Sequence, residues 1–374
     1  AEYASTLLDI MSNLSFCPED GNTTSAEGDA MLTTALIAAL TSLLSLLIVV
    51  GNGLIIVSVA LVKKLRQPAN YLIVSLALSD FLVGLVVLPL TIVYDIMGEW
   101  VFGPNVCDVH VSFDVICCTA SIMNLCMISI DRYLMITQPM TYPKRRTGKL
   151  MLLLIATAWV LSCLVIIPAL FGFTKNVKDG KACLISQERW FTIYSTLGAF
   201  YLPLAVMLCM YWKIYLEASR FNARHRLRSY STTGSQSTFF TSKLLIYVTY
   251  ILIILNYLSV YFHHKSLFFY RPTVFNQIRR RVSLATSRDR MRNVKATRTL
   301  GIVVGAFTFC WLPFFIVTFL RPFGKYCVVW FNSVLLRFVL WLGYLNSALN
   351  PLIYIGFSPD LRETFRFLIC CKCT

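Results

Sequence analysis

Seven stretches of this chain, at residues 31–61, 71–97, 105–138, 150–171, 190–216, 296–320 and 329–356, are apolar over roughly twenty residues or more, the length a helix needs to cross a bilayer. Lipid offers the backbone no water to bond, so each stretch must close its own hydrogen bonds as a helix. The composition agrees. Hydrophobic residues make up 57% of the chain and charged ones 14%, and the mean hydropathy is +0.67, far from the balance of a soluble domain. The expected fold is an all-α membrane protein, a seven-transmembrane helix bundle with a short amphipathic eighth helix.

Charge gives the orientation. Residues 1–30 contain Glu2, Asp9, Glu19, Asp20, Glu27 and Asp29 but neither Lys nor Arg. Lys63, Lys64 and Arg66 follow the first span, Lys144, Arg145 and Arg146 follow the third, and the connection between the fifth and sixth is the most basic part of the chain. Basic loops stay in the cytoplasm, so the N-terminus is expected outside and the C-terminus inside. The chain then divides into an extracellular N-terminal tail (1–30), helices one to five (31–220), a third intracellular loop (221–291), helices six and seven (292–357), and an amphipathic helix with a cysteine-bearing tail (358–374). The expected location is the plasma membrane. The net charge of +16 reads as a cytoplasmic face against anionic lipid and an acidic protein partner. Nucleic acid is the weaker reading, because the basic residues border membrane spans. Asn13-Leu14-Ser15 and Asn22-Thr23-Thr24 are glycosylation sequons in the outer tail. No signal peptide is visible, which leaves insertion by the first helix and a trimmed N-terminus both open.

An eighth apolar run, Leu244 to Phe262, is also long enough to span. Counting it would invert the last two helices. Arg220, Arg224, Arg226 and Arg228 precede it and Arg279, Arg280 and Arg281 follow, so both of its ends belong inside. The hydrophobic insert 241–272 either lies on the inner leaflet or is a retained intron, and its richness in Ile, Leu, Tyr and Phe suits the second. Just beyond it, Arg280-Arg281-Val282-Ser283 fits a basophilic kinase site.

Charged residues inside spans mark function, because each costs at least ~2.5–3.5 kcal/mol at the centre of a membrane helix. Asp114 and Arg132 share the third span eighteen residues apart, about 27 Å and five whole turns, so an outer acid and an inner Asp131-Arg132 pair lie along one helix face. An unpaired buried carboxylate needs a cation, and a ligand ammonium supplies one through a charge-assisted hydrogen bond. Aromatic rings should wall it: Trp311 and Phe315 are four apart with Phe314 beside them, and Trp341 and Tyr344 lie one turn apart. Pro89, Pro168, Pro203, Pro313 and Pro351 interrupt five spans, as expected of kinks or hinges. Cys107, at the outer start of the third span, and Cys183, in the outer loop before the fifth, lie where a disulfide forms and would pin that loop over the bundle. Cys370, Cys371 and Cys373 follow the amphipathic stretch and are palmitoylation candidates. Catalysis has little support, since His110, His225, His263 and His264 form no metal-ligand spacing.

Gly51-Asn52, Leu76-Ala77-Leu78-Ser79-Asp80, Asp131-Arg132-Tyr133, Trp159, Pro203, the Cys310-to-Pro313 run and the Asn350-to-Tyr354 run occur one per span and in order. Together they resemble the rhodopsin-like G protein-coupled receptors over residues 31 to about 220 and 292 to 371. Asp114 stands where aminergic receptors bind the ligand amine, with Val115, Cys118 and Thr119 beside it. The Ser195, Thr196 and Ala199 pattern resembles serotonin receptors rather than catechol receptors. Asp114 to Met123, Cys183 to Gln187, Thr192 to Thr196 and Thr141 to Pro143 are similar to the type-7 serotonin subgroup, which acts through the stimulatory G protein.

The resemblance implies roles for further residues. Asp80, Ser121, Asn346, Ser347 and Asn350 would hold an allosteric sodium ion that favours the resting state, and no other cofactor is implied. Ile122, Pro203 and Phe307 would repack beneath the ligand, and Arg132, Tyr211 and Tyr354 would rearrange to admit the G protein. Arrestin and receptor kinases are the further partners implied. One departure stands out: Asn293 replaces the Glu that often pairs with the Arg132 position, implying raised ligand-independent signalling. An octopamine, tyramine or dopamine receptor is the competing reading. A membrane transporter should show repeated halves, which are not visible by eye, and an opsin needs a Lys that 330–357 lacks.

Overall fold

The computed structural model describes residues 26–138, 141–170, 177–178, 182–183, 185, 188–230, 301–320 and 329–370. Asn13, Asn22, the insert 241–272, Ser283, Asn293, Cys371 and Cys373 lie outside them, and for Cys370 only the backbone is described. Among the described residues, seven helices are long and apolar enough to cross a membrane. We label them α1 (Ala26–Leu61), α2 (Pro68–Leu82 and Leu88–Met97), α3 (Gly103–Thr137), α4 (Gly148–Leu170), α5 (Arg189–Thr196 and Leu202–Tyr230), α6 (Gly301–Leu320) and α7 (Val329–Phe357). A further amphipathic helix, α8 (Pro359–Cys370), follows α7 after a single residue. The fold is the expected all-α seven-helix membrane bundle with a short eighth helix.

Two helices carry a wider turn than the sequence reading expects. Val83–Val87 in α2 and Leu197–Tyr201 in α5 are π-helical, and each ends two residues before a proline, Pro89 or Pro203. A proline has no N–H to return to the preceding turn, and widening that turn absorbs the mismatch without breaking the helix. α5 also continues to Tyr230, well past the expected end at 216. The hydropathy signal stops where Glu217 and the arginines begin, but charged residues are good helix formers in water.

Side-chain placement is that of a bundle solvated by lipid. Large apolar groups such as Leu40 (66% exposed) and Phe309 (71%) face outward, as a hydrocarbon environment permits. α3 runs through the middle, packed on α2, α4 and α5. The main core joins Leu76, Ile122, Leu125, Phe200, Met207, Phe307 and Trp311 across these helices. At the end of the bundle where α3 begins, β1 (Val177–Lys178) pairs antiparallel with β2 (Ala182–Cys183), and the Cys107–Cys183 disulfide ties β2 to the start of α3. On the opposite side, α8 buries Leu361 with Val59 and Leu65, and Phe365 with Ile55 and Ala77. The exposed Lys64 ammonium bonds Asp360 at 2.7 Å, and that bond raises its proton affinity.

Candidate functional site

The half of the bundle beside β2 encloses a cavity of about 240 Å³ lined from α2, α3, α4, α5, α6, α7 and β2. Asp114 lies in its wall. The Cys118 thiol donates to Asp114 Oδ1 at 3.3 Å and the Tyr344 hydroxyl to Oδ2 at 3.0 Å. Among the described residues no Lys or Arg pairs with it: Arg337, the one cation at comparable depth, lies 3.6 Å from Asp95. The carboxylate therefore faces the cavity with neutral donors only.

The expected aromatic wall is assembled. Trp311 meets Tyr344 edge-on at 6.3 Å and Phe314 at 5.7 Å, and lies 5.9 Å from Phe315. Phe315 in turn stacks on Phe200 at 4.3 Å. Backbone approach sets the position of Trp311: a Cβ on Gly343 would lie 2.8 Å from the indole ring, so α7 closes on α6 only because that residue has no side chain. Val115, Thr119, Ile122 and Ala199 also line the cavity. Ser195 and Thr196 line the α5 wall, but both hydroxyls donate back to the Thr192 carbonyl, at 3.4 and 2.6 Å, the usual alternative for such residues in a helix.

Among the lining residues not assigned to the site from sequence are Asp95, His110, Thr318 and Arg337. Asp95 accepts from Trp341 Nε1 at 2.9 Å, joining α2 to α7 at the mouth, and the Arg337 guanidinium lies over the Tyr94 ring. His110 is four residues before Asp114 and so on its face of α3; that spacing was the available signal.

Below the cavity, a second polar centre forms around fully buried Asp80. It accepts from Ser121 at 2.9 Å, Ser347 at 2.9 Å and Asn350 at 2.7 Å, on α3 and α7. Asn346 is buried, and Asn52 donates to the Ser347 carbonyl at 3.0 Å. Ile122 and Phe307 share the main core, and the Cys126 thiol donates to the Pro203 carbonyl at 3.1 Å.

At the basic end, Asp131 has partners that sequence did not give. Tyr142, on a one-turn helix Tyr142–Arg145, donates to its Oδ1 at 3.0 Å, and Arg146 holds both carboxylate oxygens, with Nε at 2.8 Å from Oδ1. Burial, and then the neighbouring Asp131 charge, push the Tyr142 phenol well above its ordinary range, so it stays a donor. Tyr133 meets the Lys213 ammonium at 5.9 Å, and the Tyr211 ring fills the space over Gly301 between α5 and α6. Arg132 is half-buried.

A helix bundle with a carboxylate in an aromatic outer cavity, a buried acid at mid-depth and an Asp-Arg-Tyr run at the basic end belongs to one group of proteins. Residues 51–354 match the 7 transmembrane receptor (rhodopsin family), and the chain belongs to that family. Its relatives are more particular. It is 44% identical over 346 residues to 5-hydroxytryptamine receptor 7 of Xenopus laevis, covering 90% of this chain and 77% of that protein. It is 37% identical to 5-hydroxytryptamine receptor 1B of Spalax ehrenbergi, covering 91% and 88%, and 36% identical to that of Homo sapiens, covering 91% and 87%. These matches make it a multi-pass membrane receptor of the serotonin-receptor group and not an enzyme.

Proposed function

We propose that this receptor binds serotonin and signals through a stimulatory heterotrimeric G protein, raising cAMP, with its N-terminus outside the cell. One observation carries the amine reading: Asp114 sits in an aromatic cavity where, among the described residues, its hydrogen-bond donors are the neutral Cys118 and Tyr344. A buried carboxylate without a cation is costly, and a ligand ammonium both neutralises it and is attracted to ring faces. The names of the relatives favour an indole amine. The ring system would extend toward α5, where Ser195 and Thr196 exchange their bonds to the Thr192 carbonyl for the ligand hydroxyl.

Signalling is then a shift between two packings of one bundle. Ligand contact with Trp311 and Phe315 favours the arrangement with α6 swung out about Pro313. Pro203, Ile122 and Phe307 repack beneath it, and sodium at Asp80, Ser121, Asn346, Ser347 and Asn350 opposes the change. Arg132, Tyr211 and Tyr354 then open the inner face to the G protein and, afterwards, to receptor kinases and arrestin. Reciprocity follows: a bound G protein raises agonist affinity by the same coupling free energy. The test is expression of the chain with and without residues 241–272, followed by cAMP measurement against a panel of biogenic amines. Serotonin should be the most potent and raise cAMP. A higher potency for octopamine, tyramine or dopamine overturns the ligand assignment, and a fall in cAMP overturns the G-protein assignment.

A further inference from the structure

His110 lies one turn before Asp114 on α3 and lines the same cavity, and among the described residues its Nδ1 is buried without a hydrogen-bond partner. Its position is set from the outer side. Its ring lies 5.2 Å from that of Trp100, which donates to the Gly103 carbonyl at 2.8 Å and packs on the Cys107–Cys183 disulfide. A buried ring nitrogen with no partner costs free energy that a ligand donor recovers.

A primary ammonium carries three N–H donors. Asp114 can take two, but each of its oxygens already accepts one bond, from Cys118 or Tyr344. The next acceptor on the same face is one helical turn outward, at His110. We propose that neutral His110 is a specificity-determining residue of the amine site, accepting one N–H of the ammonium that Asp114 anchors and so favouring primary amines over N,N-dialkyl amines. This rests on the amine reading above.

A dialkylated ammonium has a single N–H, which Asp114 uses, so the histidine gains nothing from it. Protonation of the ring has the opposite effect from ligand binding. The imidazolium has no acceptor at Nδ1, repels the ammonium, and supplies Asp114 with an internal cation. Histidine ordinarily titrates near neutral pH, whereas an aliphatic amine stays charged up to about pH 10. Affinity for a primary amine is therefore fully present above the titration of the ring and falls as pH drops through it. The other titratable or charged groups of the described residues sharing this cavity wall are Tyr94 and Asp95 of α2, Asp114 and Cys118 of α3, and Arg337 and Tyr344 of α7. Asp95 and Arg337 form their own pair.

Full-length receptor in membranes is tested by competition binding with serotonin and with N,N-dimethylserotonin at pH 5.5, 6.5 and 7.5. The wild type is compared with His110→Phe, His110→Gln and Asp114→Asn. At pH 7.5 the wild type should prefer serotonin by about tenfold, the size of one hydrogen bond to a charged group, and the preference should vanish in His110→Phe. On going to pH 5.5 the wild type should lose more serotonin affinity than His110→Phe does, within the limit of tenfold per pH unit for one proton. Glutamine accepts a hydrogen bond without titrating, so His110→Gln should keep the preference and lose the extra pH dependence. Wild type and His110→Phe with the same preference and parallel pH curves overturn the proposal while the amine reading stands. Equal serotonin binding by wild type and Asp114→Asn overturns both.

Discussion

Tyr142→Phe removes one hydroxyl and little else, which makes it the sharpest probe of the inner-edge network. The phenol donates to Asp131 Oδ1 at 3.0 Å from a side chain 4% exposed. A bond from a buried neutral donor to a charged acceptor contributes about 1.5–3 kcal/mol. Arg146 remains on both Asp131 oxygens in the variant, so the lower end of that range applies. If these contacts belong to the resting packing, a loss of about 1.5 kcal/mol raises the active-to-resting ratio about tenfold, for example from about 1% to about 10% active. Asp131→Asn should do more, because it leaves the largely buried Arg146 without its counter-ion. The assay is agonist-independent cAMP per surface receptor, with thermal unfolding of solubilised receptor alongside. A double-mutant cycle between the two substitutions should show coupling of at least about 0.5 kcal/mol. Basal signalling unchanged in both variants, or strictly additive effects on stability, would refute the assignment of this network to the resting state.

Two further perturbations test other parts of the bundle. Asp80→Asn keeps hydrogen bonding with Ser121, Ser347 and Asn350 but removes the charge a cation needs; agonist affinity should then no longer fall when sodium replaces a large organic cation, whereas wild-type affinity should. Gly343→Ala places a methyl 2.8 Å from the Trp311 ring, an overpacking that costs about 1–3 kcal/mol; it should lower thermal stability and shift agonist efficacy, and an unaltered receptor would mean that α7 can retreat from α6 freely.

The spans were legible because lipid imposes one rule on the backbone, and runs such as 31–61 and 150–171 obey it without exception. The amine cavity was legible through spacing: Trp311 with Phe315, and Trp341 with Tyr344, are single-turn relations that survive folding. What escaped were contacts closed by tertiary geometry. Nothing in the sequence around Asp131 says that Tyr142 and Arg146 return to it after the chain leaves α3, or that Asp95 takes Trp341 and Arg337 from α7. Prolines gave the places of the irregular turns in α2 and α5 but not their form, since a kink and a π turn answer the same missing N–H. The pattern of Ser195, Thr196 and Ala199 gives the residue types on α5, but not that the helix offers both hydroxyls the Thr192 carbonyl. His110 was set aside because it lacked metal-ligand spacing, although its place four residues before Asp114 was in view.

The direct test of the amine site is serotonin affinity in Asp114→Asn, measured by displacement binding on receptor whose surface expression matches the wild type. Removing one partner from a buried charge pair costs about 2–5 kcal/mol, so the affinity should fall by about thirtyfold or more. An affinity within about threefold of wild type would mean that the ammonium is held elsewhere.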